Sequence, residues 1–378
     1  MRFPTFQLER NQTLYENAVE INLTESGVHP CTVGEILDDG EIAALGRVAL
    51  SHGYTEGSPA LRRAIADWYP GAGAENVVVC HGSSEACLVA TLSIVSRGDE
   101  IVVIVPSFMQ IDGLARALDV TVHRVPLDEA KGWQPDLAQV GAAIGPRTRL
   151  ITVCDPNNPT GTMLTDASRR GLAALAAETG IWLLVDEIYR GSEIDGGEPA
   201  TAWGLSDRVI VSGGLSKSFA CPGLRLGWLI APPELADECH RRQDYTTIGT
   251  GTLPQLLAER VMRPVTRDRM LAQGRSILAR GRATVAEWVA GRNSWSWVEP
   301  KAGGMAFLGY GFDMPSEALV QGLREEESVF VCAGAWFGIE KHIRIGIGVE
   351  HGKLVEGLRR IDSFFARHGA AAGGGGPA

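Results

Sequence analysis

Between residues 76 and 231 one pattern repeats along the chain: a short apolar run, then a longer stretch whose apolar residues recur at helical spacing. The runs are NVVVC (76–80), EIVVIV (100–105), RLITVC (149–154), IWLLVDE (181–187), RVIVSGG (208–214) and LGWLIA (226–231). They are rich in valine and isoleucine and have few polar positions, which suits strands covered on both faces. Their alternation with helices predicts an α/β fold built on a mostly parallel sheet. Past about residue 253 the rhythm changes to long amphipathic helices, then WSWVEP, GGMAFLGY, SVFVCAG and HIRIGIG, and a last helix over 353–367. That is the pattern of a second, smaller α+β domain.

The expected organisation is an N-terminal segment (1–45) that joins the small domain, a large domain (46–255), the small domain (256–368) and a tail (369–378). The tail, GAAAGGGGPA, has no large side chains to bury and is expected to be disordered. The net charge of −10 is spread without a basic run, so nothing marks a nucleic acid or an anionic membrane as partner. A small-molecule substrate is the expectation. Seven cysteines are scattered and form no CxxC pair, which argues against a disulfide framework or a metal site and fits a reducing cytoplasm. No apolar run reaches the roughly 18 residues that a membrane helix needs.

Candidate chemistry gathers at the carboxyl ends of the runs, where open α/β sheets place their ligands. In GGLSKSFACPGLRLGW, Lys217 follows a buried-looking strand, and a desolvated lysine can form an imine with an aldehyde cofactor. Arg225 sits eight positions beyond it, a spacing that suits a phosphate-gripping fork, and Ser216 offers a hydroxyl to the same anion. Asp186 ends the run IWLLVD, where a carboxylate needs a cationic partner such as a pyridinium nitrogen. Tyr189 and Asn158, the latter in the turn DPNNPTG, could donate to a phenolic oxygen on the same ring. The plainer alternatives are a helix-capping Asp, a packed Tyr and a surface turn.

CHGSSEA places Gly82, Ser83 and Ser84 at a helix start, either as a phosphate cup or as ordinary capping. Phe108 closes the EIVVIV run and could stack on a planar ring or simply pack in the core. Arg344 alternates with Ile343 and Ile345 and so faces away from them, which suits a carboxylate fork or an exposed strand face.

With these residues in view, the chain resembles the class I/II aminotransferases of the fold-type I pyridoxal-phosphate (PLP) enzymes over nearly its whole length. The resemblance implies a large domain with a seven-stranded-type sheet, PLP as cofactor, an L-α-amino acid as substrate and a homodimer. It implies Lys217 as the catalytic, cofactor-bearing lysine, Asp186 on the pyridine nitrogen, and Tyr189 with Asn158 on O3′. Gly82, Ser83, Ser84, Ser216 and Arg225 would bind the phosphate, with Tyr54 from HGYTEGSPALR reaching it across the subunit interface. Arg344 would bind the substrate α-carboxylate.

Where many members carry a GxP loop, this chain reads ESGVHP, so Gly27, Val28 and His29 are expected to line a modified substrate pocket. ESGVHP, HGSSEA and RRQDYTTIGTGTLP are similar to a bacterial subgroup that includes capreomycidine synthases and PLP enzymes of lincosamide antibiotic maturation. The default expectation is an aminotransferase of specialised antibiotic metabolism. The alternatives are a Cβ–S lyase or decarboxylating deaminase acting on an S-conjugated cysteine, a cyclase, and a non-catalytic binding protein of the same fold. A Rossmann dehydrogenase would need GxGxxG after the first strand, and that motif is absent.

Overall fold

The valine-rich runs pair side by side in a seven-stranded sheet. In the computed structural model, which describes residues 2–368, its strands are β1 (Val77–Cys80), β2 (Glu100–Val105), β3 (Thr121–Pro126), β4 (Thr148–Cys154), β5 (Trp182–Asp186), β6 (Val209–Gly214) and β7 (Gly227–Ile230). The tail 369–378 lies outside the described residues. The spatial order is β1-β7-β6-β5-β4-β2-β3. β7 runs antiparallel to both its neighbours, and the other pairings are parallel.

Val78, Val79, Ile151, Leu184 and Ile210 are all fully buried. At roughly 1.5–3 kcal/mol for each buried aliphatic side chain, such positions hold the sheet between its helical layers. β3 has no counterpart among the apolar runs. It lies at the sheet edge, and its TVHRVP sequence is only partly covered, so it lacks the signature of a strand buried on both faces.

The second sheet is antiparallel: β8 (Trp295–Trp297), β9 (Met305–Tyr310), β10 (Cys332–Ala333) and β11 (His342–Gly346), in the order β10-β11-β9-β8. The N-terminal chain forms helix α1 (Gln7–Tyr15), then runs beside this sheet. Ile21 and Asn22 pair in parallel with Val329 and Phe330, and the Gly346 amide donates to the Leu23 carbonyl at 2.6 Å. It then crosses to the large sheet, where the Val28 amide donates to the Lys217 carbonyl at 3.4 Å. The N-terminal segment thus bridges the two sheets beside the predicted lysine.

Candidate active site

The carboxyl ends of β1, β2, β4, β5 and β6 all reach one edge of the large sheet and open on a cavity of about 550 Å³. Ser83, Ser84, Phe108, Asn158, Asp186, Tyr189, Ser216, Lys217, Arg225 and Arg344 all line it. Parallel strand direction explains most of the convergence, because the ends of β1, β2, β4, β5 and β6 lie side by side; Arg225 comes from the loop after β6, and Arg344 reaches in from β11 of the small sheet.

Lys217 leaves the end of β6, and its Nζ lies 4.0 Å from Glu25 Oε2. Burial lowers its pKa from the usual lysine value; Glu25 opposes that shift, while Arg344 and Arg225 add to it. A β-carbon on Gly27 would lie 3.1 Å from Lys217 Cα, so a glycine lets the N-terminal segment press against the lysine. Gly82 begins helix α2 (Gly82–Ile94) with φ +76°, and a β-carbon there would come within 2.9 Å of Arg225 Nη2. The guanidinium, the helix start and the Ser83, Ser84 and Ser216 hydroxyls therefore share one corner, a donor-rich anion cradle.

Asp186 ends β5 directly beside Ser212 of β6, whose hydroxyl donates to Oδ1 at 2.7 Å. Among the described residues no hydrogen bond reaches Oδ2. Burial raises the pKa of this carboxyl, a shift that Ser212, the Ile188 amide and Lys217 oppose. A cationic N–H at Oδ2 would restore the charged form. Tyr189 is buried with its hydroxyl 2.9 Å from Ser26 Oγ, and burial raises its pKa. Arg344 is buried as well: Nη1 donates to Asn158 Oδ1 at 2.7 Å, and Nη2 contacts the Thr24 carbonyl and Cys332 Sγ. The alternation around Arg344 suggested one covered strand face, whereas the structure covers both. Its Nε is buried and without a partner among the described residues.

Val28 and His29 do not line the cavity; Val28 is buried, and His29 is exposed with its amide on the Gly348 carbonyl at 2.8 Å. Tyr54 is 61% exposed and lies outside the cavity of its own chain. Glu85 accepts from the His81 amide at 2.7 Å just before α2, while Ser83 and Ser84 line the cavity.

Several lining residues had no motif to reveal them. Phe6, Glu9, Gln12, Thr13 and Glu16 reach the cavity from the N-terminal segment and α1, whose sequence carries no local chemical signature. Ser212 could have been found, because a serine in the otherwise apolar VIVSGG run must hydrogen-bond to something.

The donor set fits PLP: a desolvated lysine, a carboxylate with one oxygen free, and an arginine beside a helix start. Fold and site together define a PLP-dependent enzyme. The chain belongs to the aminotransferase class I and II family, which matches residues 20–361. It is 31% identical to capreomycidine synthase from Streptomyces vinaceus, over 92% of this chain and 90% of that one. A PLP-dependent aminotransferase from Streptococcus suis superposes with a TM-score of 0.92 at 27% identity, covering 97% of this chain and 99% of that one. The PLP-dependent cyclase OrfR superposes with a TM-score of 0.88 at 28% identity, covering 97% and 98%. Among the described residues no helix is long and apolar enough to cross a membrane.

Proposed function

We propose that the chain acts on an L-α-amino acid as an aminotransferase of specialised antibiotic metabolism, working in the cytoplasm as a homodimer. One observation carries the reading: Lys217, Asp186, Asn158, Tyr189, Arg225 and Arg344, from distant stretches of sequence, line a single cavity.

Bound PLP supplies an electron sink that makes the Cα–H of an amino acid acidic. Lys217 would hold the cofactor, and its Nζ would take the Cα proton of the amino acid. Its lowered pKa favours the neutral amine that this step requires. Asp186 would keep the ring nitrogen protonated, Tyr189 and Asn158 would donate to the ring's phenolic oxygen, and Phe108 would cover the ring. Gly82, Ser83, Ser84, Ser216 and Arg225 would bind the phosphate, joined by Tyr54 of the partner subunit. Arg344 binds the α-carboxylate, its unpaired Nε being the donor left over. Of the N-terminal stretch, Gly27 stands against Lys217 at the margin of the site, while Val28 and His29 lie outside it.

Glu9, Glu16 and Glu25 also line the cavity. With Lys217 and Arg225 committed to the cofactor and Arg344 to the α-carboxylate, the side-chain region is acidic. It favours cationic or neutral side chains over dicarboxylic ones.

The relatives named capreomycidine synthase and PLP-dependent cyclase favour a second reading, in which the same deprotonation leads to ring closure with no amino transfer. The test is to mix PLP-loaded protein with a panel of amino acids and identify products by mass spectrometry. A keto acid with pyridoxamine phosphate supports transamination; a product formed with PLP regenerated supports cyclisation or elimination. No change in the cofactor spectrum with any amino acid would sink both.

A further inference from the structure

Cys31 and Cys221 place their sulfurs 3.4 Å apart at the junction between the N-terminal segment and the loop that carries the cofactor lysine. The Cys31 amide donates to the Ala220 carbonyl at 2.9 Å, so the two chains already run side by side. Cys221 lies between Lys217 and Arg225 and is followed by Pro222, which lines the active-site cavity. Cys31 follows the ESGVHP stretch, whose Gly27 presses on Lys217. The loop is conformationally tight: Ala220 and Arg225 both have left-handed backbones, with φ of +54° and +46°. Such positions persist only when their surroundings hold them.

We propose that Cys31 and Cys221 form a reversible disulfide that lowers turnover by pulling the N-terminal segment against the Lys217–Arg225 loop. The inference rests on the reading of Lys217 and Arg225 as cofactor residues. Cys31 is part-exposed and open to small oxidants, whereas Cys221 is buried beneath it. The hydrogen bond from Cys221 lowers the pKa of the Cys31 thiol, which makes Cys31 the attacking sulfur. A peroxide serves as oxidant. The Cys31 thiolate displaces one peroxide oxygen as water and becomes a sulfenic acid; the Cys221 thiol then attacks that sulfur, releasing a second water as the S–S bond forms. The two sulfurs lose two electrons in total, and the peroxide gains them. A disulfide is about 2.0 Å long, so the sulfurs draw together by more than an ångström, and displacements of that size at a catalytic loop are worth about 100-fold in rate.

The PLP-loaded enzyme, treated with hydrogen peroxide, is expected to lose at least about tenfold in turnover, to yield a peptide cross-linked between Cys31 and Cys221 on non-reducing digestion, and to recover with dithiothreitol. Cys31→Ser and Cys221→Ser should keep basal turnover and resist the peroxide. Peptide mapping reports the bond whatever reaction the enzyme catalyses, so failure here is separate from failure of the functional assignment. A missing cross-link, a cross-link with unchanged turnover, or a Cys31→Ser protein as sensitive as the parent would each overturn the proposal.

Discussion

Arg344 of the small sheet donates to the side-chain carbonyl of Asn158, at 2.7 Å, across to the large sheet. The bond ties the group proposed for the substrate carboxylate to the group proposed for the cofactor's phenolic oxygen. Both are buried, so each orients the other without competition from water.

Arg344→Gln leaves a side chain that can still meet Asn158 but cannot present a charged fork. KM for the amino acid should rise about 100-fold, since losing charged hydrogen bonds costs about 3 kcal/mol. Steady-state kinetics with any accepted amino acid checks this. An unchanged KM would remove Arg344 from the carboxylate site.

Asp186→Asn keeps the shape and a partner for Ser212 but removes the charge facing the cavity. The ring nitrogen then loses its counter-ion, and kcat should fall about 100-fold or more, the usual scale for removing one electrostatic stabiliser. Cofactor affinity should change less, because the phosphate corner is untouched. A variant with near-normal kcat would place the ring elsewhere.

The residues of the site differ in how plainly the sequence displays them. Asp186 stands at the end of an apolar strand, where burial without a partner is so costly that a role is implied. Lys217 and Arg225 were legible as a pair on one loop. The lining from α1 is not, because Glu9 and Glu16 are ordinary polar residues, one within a short, hydrophilic helix and the other just past its end. Long-range contacts bring that segment to the site, among them the pairing of Ile21 with Val329 and the contact of Gly27 with Lys217. The edge strand β3 was equally silent, since half-covered strands share their composition with loops and helices.

Burial lowers the Lys217 pKa in the folded chain relative to the unfolded one. Below the folded value both states are protonated, and the fold bears the full cost of a desolvated charge. As pH rises from the folded value toward the unfolded one, the folded amine sheds its proton and that cost fades. The cofactor-free Lys217→Met protein should therefore be more stable than the cofactor-free parent at neutral pH, with the gain shrinking toward pH 10. Thermal melts across that range test it; a gain independent of pH would contradict the assigned burial effect. Loaded with PLP, the same variant should show no turnover.

Tyr54 is exposed, and so are Leu50, Tyr245 and Ile248, an apolar set suited to a partner subunit. The Tyr54 carbonyl accepts from Gln255 Nε2 at 3.0 Å, which fixes the backbone while leaving the ring free. Tyr54→Phe should weaken PLP binding about tenfold through one lost hydrogen bond to the phosphate. Native mass spectrometry of the parent should show a dimer. A monomer with full cofactor affinity would refute the shared site.

Glu16 is held above the usual carboxylate range by burial, then by repulsion from Glu25 and Glu9. The three charges therefore sense one another, and a fourth negative group among them would be unfavourable. At about 4 Å in a partly wet cavity, one such repulsion reaches a few kcal/mol, so discrimination of about 100-fold is expected. Arginine or lysine should surpass aspartate and glutamate by that factor in kcat/KM, and Glu16→Gln should narrow the gap. Acidification should narrow it too, because protonating Glu16 removes one charge from the wall, and its raised pKa makes that loss begin at a higher pH than for an ordinary glutamate. Equal kcat/KM for both classes of side chain, at any pH, would show that the acidic wall does not face the substrate.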